Sequence, residues 1–398
     1  MISTPRSLSM HSRYETLDGM RGFAALSVMF FHYTQFHQPR WLAYSPLAVD
    51  IFFMLSGFVI AHSYGKRLLT GMTATEYIAK RFIRLYPTFI MGILLGAPVL
   101  YWLRMSGHSN FPPAVIAAST LTNLFYLPFI HNYEIQVMGS RAISEGQVFP
   151  SNPPSWSLFF EVIASLGFLL LFRLKRSVLI QCVAVSLVLF LLCGFVHAHH
   201  AGDSGFNMDL GWGIHNLYGG FPRVIYGFSA GVLIYSFTKS ERFHAVHAGV
   251  RRFLGNSYLI YLALFFIFAF PSSLHGFYTS LVLVIAAPCL VYVGSLANCP
   301  DSISLNIAKF LGWISYPLYC FHLPIGRSIF LIADRFHISN LAAVVIAGAL
   351  SVAVAAILTK FCEEPARAYL SRKLSMVLKT PRSTFPAKDE AALPNQSA

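Results

Sequence analysis

Long apolar stretches separated by short polar and basic breaks dominate this chain. Ten of them, near 18–36, 46–65, 82–103, 156–172, 177–197, 221–238, 255–271, 276–297, 307–332 and 340–361, each approach the ~20 residues that a membrane crossing needs. The pattern predicts an all-α, polytopic membrane protein of about ten transmembrane helices. An eleventh stretch, PPAVIAASTLTNLFYLPFI at 112–130, is interrupted by Ser, Thr and Asn and bracketed by prolines. Charge decides how it is read. Without a crossing at 112–130 and with the N-terminus inside, the clusters around Arg81, Arg84, Arg173, Lys175, Arg176, Arg242, Arg251, Arg252, Arg367, Arg372 and Lys373 all fall on one side. A crossing there would turn FRLKR and KSERF outward, against the Lys/Arg bias of cytoplasmic loops. Both termini are therefore expected in the cytoplasm, with 104–155 as one external region that dips partway into the bilayer.

Composition agrees with this reading. Of 398 residues 56% are hydrophobic and 11% charged, against about 25% charged in a soluble domain, and the mean hydropathy is +0.59. A formal net charge of +13 belongs to positive-inside loops, because no basic block with interleaved aromatics stands apart to meet nucleic acid. Six scattered cysteines form no CxxC pair and are read as packed thiols with no metal or disulfide framework. His197, His199 and His200 form a solvated cluster on this reading, and no metal is expected. No internal repeat is visible. The expected organisation is a cytoplasmic segment over 1–14 with no signal peptide, a membrane domain over 15–371 and a disordered cytoplasmic tail over 372–398.

Ionisable residues inside apolar segments carry the functional information, because a charge costs about 2.5–3.5 kcal/mol at mid-membrane and so faces a protein interior or a wet cavity. In the opening helix, LDGMRGFAALSVMFFHY, a 100° step puts Arg21 within about 20° of His32, and Asp18 within about 40° of it. Arg21 and His32 lie roughly 16 Å apart along that face, the arginine nearer the cytoplasm. An interfacial Asp18/Arg21 pair with a satisfied interior histidine is the plainer alternative. In KRFIRLYPTF, Arg81 and Arg84 share a helix face, as positive-inside anchors or as holders of phosphate. In PPSWSLFFEV, Glu161 falls inside an apolar helix and needs a partner. SYPLYCFHLPI sets His322 in a span beside Tyr316 and Tyr319, and Glu363 and Arg367 in CEEPARAYL read as an i, i+4 salt bridge.

These segments, together with VDIFFMLSGFVIAHSY and FPRVIYGFSAGVLIY, resemble in order the acyltransferase 3 family of membrane acyltransferases over most of residues 15–370. The resemblance implies an O-acyltransferase that moves an acyl group, acetyl being the expected one, from cytoplasmic acyl-CoA to a hydroxyl of a cell-envelope glycan or lipid-linked sugar. The expected setting is a bacterial inner membrane. Some members carry an extra hydrolase-like C-terminal domain, which is not expected within these 398 residues. It implies His32 as the catalytic residue, Arg21 as its motif partner and Arg81 and Arg84 on the donor side, and it matches Trp156, Ser157, Leu158 and Glu161 to a WSLxxE motif. On that basis His32, Glu161 and Arg21 are the expected catalytic residues, with Glu161 orienting the imidazole if it reaches it. Arg81, Arg84, Asp18, Trp156, Ser157, Tyr316 and His322 are the expected substrate-binding residues. No bound cofactor or nucleic acid is expected, and the partners are acyl-CoA, the acceptor and lipid. A transporter using Asp18, Arg21, His32 and Glu161 as a substrate or proton path is the competing expectation.

Overall fold

A computed structural model describes residues 14–35, 41–136, 143–200, 205–271 and 275–379. Helices α1 (Glu15–Thr34), α2 (Ala48–Leu69) and α3 (Ala74–Met105) are followed by a short α4 (Pro113–Leu124), and a hairpin of β1 (Glu134–Gln136) and β2 (Ile143–Glu145) comes next. Helices α5 (Ser155–Leu171), α6 (Arg176–His200), α7 (Leu217–Thr238), α8 (His244–Leu254) and α9 (Ser257–Ala269) follow. The chain closes with α10 (His275–Leu281), α11 (Ala287–Leu296), α12 (Ser302–Arg335), α13 (Asn340–Leu358) and α14 (Glu364–Lys379). Among the described residues the hairpin is the one sheet, with Glu134 opposite Glu145.

Among the described residues, five stretches are individually long and apolar enough to cross a bilayer: Ser45–Leu69, Ala74–Met105, Arg176–His200, Gly276–Leu296 and Asn340–Leu378. Each of the other five expected spans also coincides with a helix, α1, α5, α7, α9 and α12. One of them is shorter than expected: α9 has only 13 residues, whereas the 17 residues of α5 match the expected 156–172. At 1.5 Å per residue α9 covers about 20 Å of a hydrocarbon core of about 30 Å, so flanking chain must supply the rest of any crossing. The expected boundary at 372 falls inside α14, whose helix runs on to Lys379. Residues 1–13 and 380–398, where a cytoplasmic segment and most of a disordered tail were expected, lie outside the described residues.

The weak eleventh stretch forms only the 12-residue α4, about 18 Å long. It ends in a turn in which Tyr126 stacks on Phe89 of α3, with ring centroids 3.7 Å apart, and Tyr86 of α3 donates to the Leu124 carbonyl. The described residues of 104–155 thus fold back over one end of α3, and α5 starts from the end that α3 reaches. Small residues let the helices close up. A side chain on Gly57 of α2 would strike the Phe228 carbonyl of α7, and one on Gly231 of α7 would strike the Met54 carbonyl of α2. Gly22 sits in the same way against Leu311, joining α1 to α12. All six cysteines are free thiols, and the reading of them as packed holds for the buried Cys320 but not for the exposed Cys289.

Candidate active site: two cavities joined by a neck

Helices α1, α2, α5 and α12 line two cavities in series, with α7 adding Arg223 to one and α3 and α14 adding arginines to the other. At one end lies a cavity of about 510 Å³ lined by His32, Trp156, Trp212, Arg223, Tyr319 and Arg327 among others. The hairpin residues Ile135, Gln136, Ile143, Ser144 and Glu145 cover it, so the loop segment between α3 and α5 forms its roof. At the other end a cavity of about 410 Å³ gathers the guanidinium groups of Arg21, Arg81, Arg84 and Arg367 with Asp18, Tyr64 and Glu161. Between them is a neck of only about 30 Å³, which shares Val49 and Tyr319 with the first cavity and Arg21, Glu161 and Tyr316 with the second. The order along each helix gives the direction. On α1 the arginine at 21 precedes the histidine at 32, whereas on α2 the wall runs from Val49 past Phe52 to Ser56 and His62.

His32 lies against His322 of α12, with ring centroids 5.4 Å apart and planes 24° from parallel. The Nδ1–H of His322 donates to the Leu318 carbonyl at 3.1 Å, so its Nε2 is the bare ring nitrogen of the neutral tautomer. That Nε2 is buried without a hydrogen-bond partner among the described residues. Tyr33 holds the His322 backbone, donating to its carbonyl at 2.6 Å while sharing a 2.8 Å hydrogen bond with Ser351. This pair replaces the expected one: Glu161 accepts from Ser56 Oγ at 3.0 Å and faces Arg81 at 3.4 Å, in the neck and the basic cavity. The physical reason lies in the depth of α5, because Glu161 is more than a turn beyond Trp156, the residue of that motif that lines the histidine cavity.

The other expected residues divide between the two ends. Trp156 lines the histidine cavity together with His32, Ser157 and Tyr316 line the neck, and Asp18, Arg81 and Arg84 line the basic cavity. Arg21 spans the neck and the basic cavity, and its Nε is buried with no hydrogen-bond partner among the described residues. The Glu363–Arg367 pair forms at 3.0 Å, and Arg367 also lines the basic cavity.

Three charged residues escaped the sequence reading. Arg223 of α7 grips Asp50 of α2 through two hydrogen bonds of 2.8 Å, donates to the Leu210 carbonyl and lies over the Trp156 ring. Arg327 of α12 donates to the Pro150 carbonyl and to Gln147 Oε1, tying the roof to the helices. Each is a lone charge in an apolar segment, the same signal that singled out Glu161. In the roof itself, the Tyr133 N–H donates to His131 Nδ1 and His131 Nε2–H donates to the Gln147 carbonyl. Burial holds the pKa of that imidazole below the ordinary histidine value, against the pull of its hydrogen bond to Gln147.

The acyltransferase 3 family model, described as an acyltransferase domain, matches residues 14–360 and so takes in both cavities apart from Arg367. The chain belongs to the acyltransferase 3 family. It is a multi-pass membrane protein and an acyltransferase, and the family implies an acyl donor and an acceptor substrate. Among similar proteins, protein 2 in the picA locus of Rhizobium radiobacter is 36% identical over 168 residues, 40% of this chain and 82% of that protein. Acyltransferase MdmB of Streptomyces mycarofaciens is 28% identical over 176 residues, 42% of this chain and 41% of that protein. No solved structure matches the chain.

Proposed function

We propose that this family member is an O-acyltransferase that binds acyl-CoA in the basic cavity, passes the thioester through the neck and transfers the acyl group to an acceptor hydroxyl in the histidine cavity. The observation that carries this reading is the serial arrangement of the cavities. Four arginines at one end suit the phosphates of coenzyme A, because guanidinium groups bind phosphate oxygens bidentately. A histidine at the other end suits proton removal from a hydroxyl. In this mechanism the neutral His32 takes the acceptor proton as the oxygen attacks the thioester carbonyl. The tetrahedral intermediate then expels the coenzyme A thiolate, which is reprotonated from the imidazolium. His322 positions the His32 ring. Arg21, at the neck and about 16 Å along α1 from His32, serves the donor arm rather than the reacting oxyanion.

Ten crossings with both termini in the cytoplasm put the basic cavity on the cytoplasmic side, where acyl-CoA is made, and the histidine cavity outside. A cell-envelope glycan or lipid-linked sugar is the proposed acceptor, acetyl the proposed acyl group and a bacterial inner membrane the proposed location. A transporter would also use a path from end to end, but membership of an acyltransferase family disfavours it. Transfer of radiolabelled acetyl from acetyl-CoA to envelope fractions, by membranes carrying wild type or His32→Ala at matched expression, tests the proposal. Label that appears with the wild type and vanishes in the variant supports it. No transfer from a panel of acyl-CoAs by correctly inserted wild type rejects it.

A further inference from the structure

Tyr319 of α12 stands where the histidine cavity meets the neck and lines both. Its hydroxyl lies 2.8 Å from Ser157 Oγ, and the single Ser157 proton is already donated to the Pro154 carbonyl at 3.0 Å. Tyr319 is therefore the donor in that bond, so the phenol is held by α5 from across the neck. The Tyr319 ring also packs edge-to-face with Phe52 of α2, with centroids 5.5 Å apart and planes at 74°. Phe52 also lines the neck, and both Ser157 and Tyr319 are well buried. With about 30 Å³ the neck holds about one or two waters, so anything that passes must push its lining aside, and Tyr319 and Phe52 are two rings of that lining packed on each other.

We propose that Tyr319 and Phe52 form a gauge that selects acyl groups by width rather than by length. The inference rests on the donor entering from the basic cavity. A straight acyl chain presents the same cross-section however long it is, and it asks the rings to move no further than the thioester arm behind it does. A branch next to the carbonyl, or an aromatic ring, needs a wider opening and must break the hydrogen bond from Tyr319 to Ser157. Straight-chain donors are therefore favoured over branched donors of equal carbon number.

The test compares n-butyryl-CoA with isobutyryl-CoA, which differ only in branching, with acetyl-CoA as reference, using membranes that carry wild type, Tyr319→Ala, Phe52→Ala or Tyr319→Phe. The wild type is expected to prefer n-butyryl over isobutyryl by about 10-fold or more in kcat/KM, the scale of one misplaced methyl in a close-fitting site. Either alanine variant is expected to reduce that ratio by about 5-fold or more. Tyr319→Phe, which keeps the ring but loses its tether, is expected to fall between. A wild type that transfers both butyryl isomers equally overturns the gauge, and so does an unchanged ratio in an alanine variant that still transfers n-butyryl. The wild-type comparison decides even where a variant does not fold. Failure of the wild type to transfer from any acyl-CoA rejects the proposed function instead, so the two failures are told apart.

Discussion

Arg223 and Asp50 form a two-pronged ion pair, each side chain 2% exposed, that joins α7 to α2 beneath the histidine cavity. Two charges so deeply placed are stable only together. Removing one partner leaves the other buried and unpaired, at a cost of about 3–5 kcal/mol, whereas replacing both with apolar residues of similar volume costs far less. Asp50→Leu and Arg223→Met are each expected to lower the melting temperature in detergent sharply, and the double variant is expected to recover much of the loss. Because Arg223 also lies over Trp156, the double variant should still show weakened acceptor use in the transfer assay.

His32 and His322 face each other, but only His32 lines the cavity. His32→Ala is expected to reduce acyl transfer by about 10²- to 10⁴-fold, the range of a lost general base. His322→Phe keeps a ring against His32 while removing both nitrogens, and a smaller loss in kcat with little change in the donor KM is expected. Steady-state kinetics on matched membrane preparations measures both.

Glu161 is held by Ser56 and Arg81 on the donor side of the neck. Glu161→Gln is therefore expected to raise the KM for acyl-CoA and to leave the pH profile of kcat in place. A shift in that profile would instead return Glu161 to the imidazole.

Gly57 and Gly231 sit at the closest approach of α2 and α7, where any side chain meets a backbone carbonyl. Gly57→Val and Gly231→Val are each expected to destabilise by about 1–3 kcal/mol or more, since overpacking there forces the two backbones apart. Thermal unfolding in detergent reads the effect, and Gly65→Ala on the same helix, where the space is open, serves as the comparison.

His131 keeps the roof in register as a neutral imidazole that accepts from Tyr133 and donates to Gln147. Its pKa is lowered on folding, so its contribution to stability is complete above the unfolded value of about 6.5 and is lost as pH falls from there through the folded pKa. Amide exchange across 129–136 and 143–148 is expected to quicken as pH drops through that window, after correction for intrinsic exchange rates. His131→Gln should flatten the dependence.

The sequence by itself carried the apolar segments that become helices, the face of α1 that joins Arg21 to His32, and the pairing of Arg81 with Arg84 on one helix face. These are local properties, fixed by helical periodicity and by the cost of placing a charge in hydrocarbon. The same cost marked Glu161 as needing a partner, and it applies equally to Asp50, Arg223 and Arg327, which the sequence reading passed over. Which partner each one meets was decided only in the tertiary structure, because a buried charge is satisfied by whatever the neighbouring helices bring to its depth. Ser56 and Arg81 reach the level of Glu161, Asp50 reaches that of Arg223, and His322 arrives beside His32 from a segment 290 positions further along. The neck is likewise a product of assembly, since Phe52, Ser157 and Tyr319 come from three helices and close it only when those helices pack.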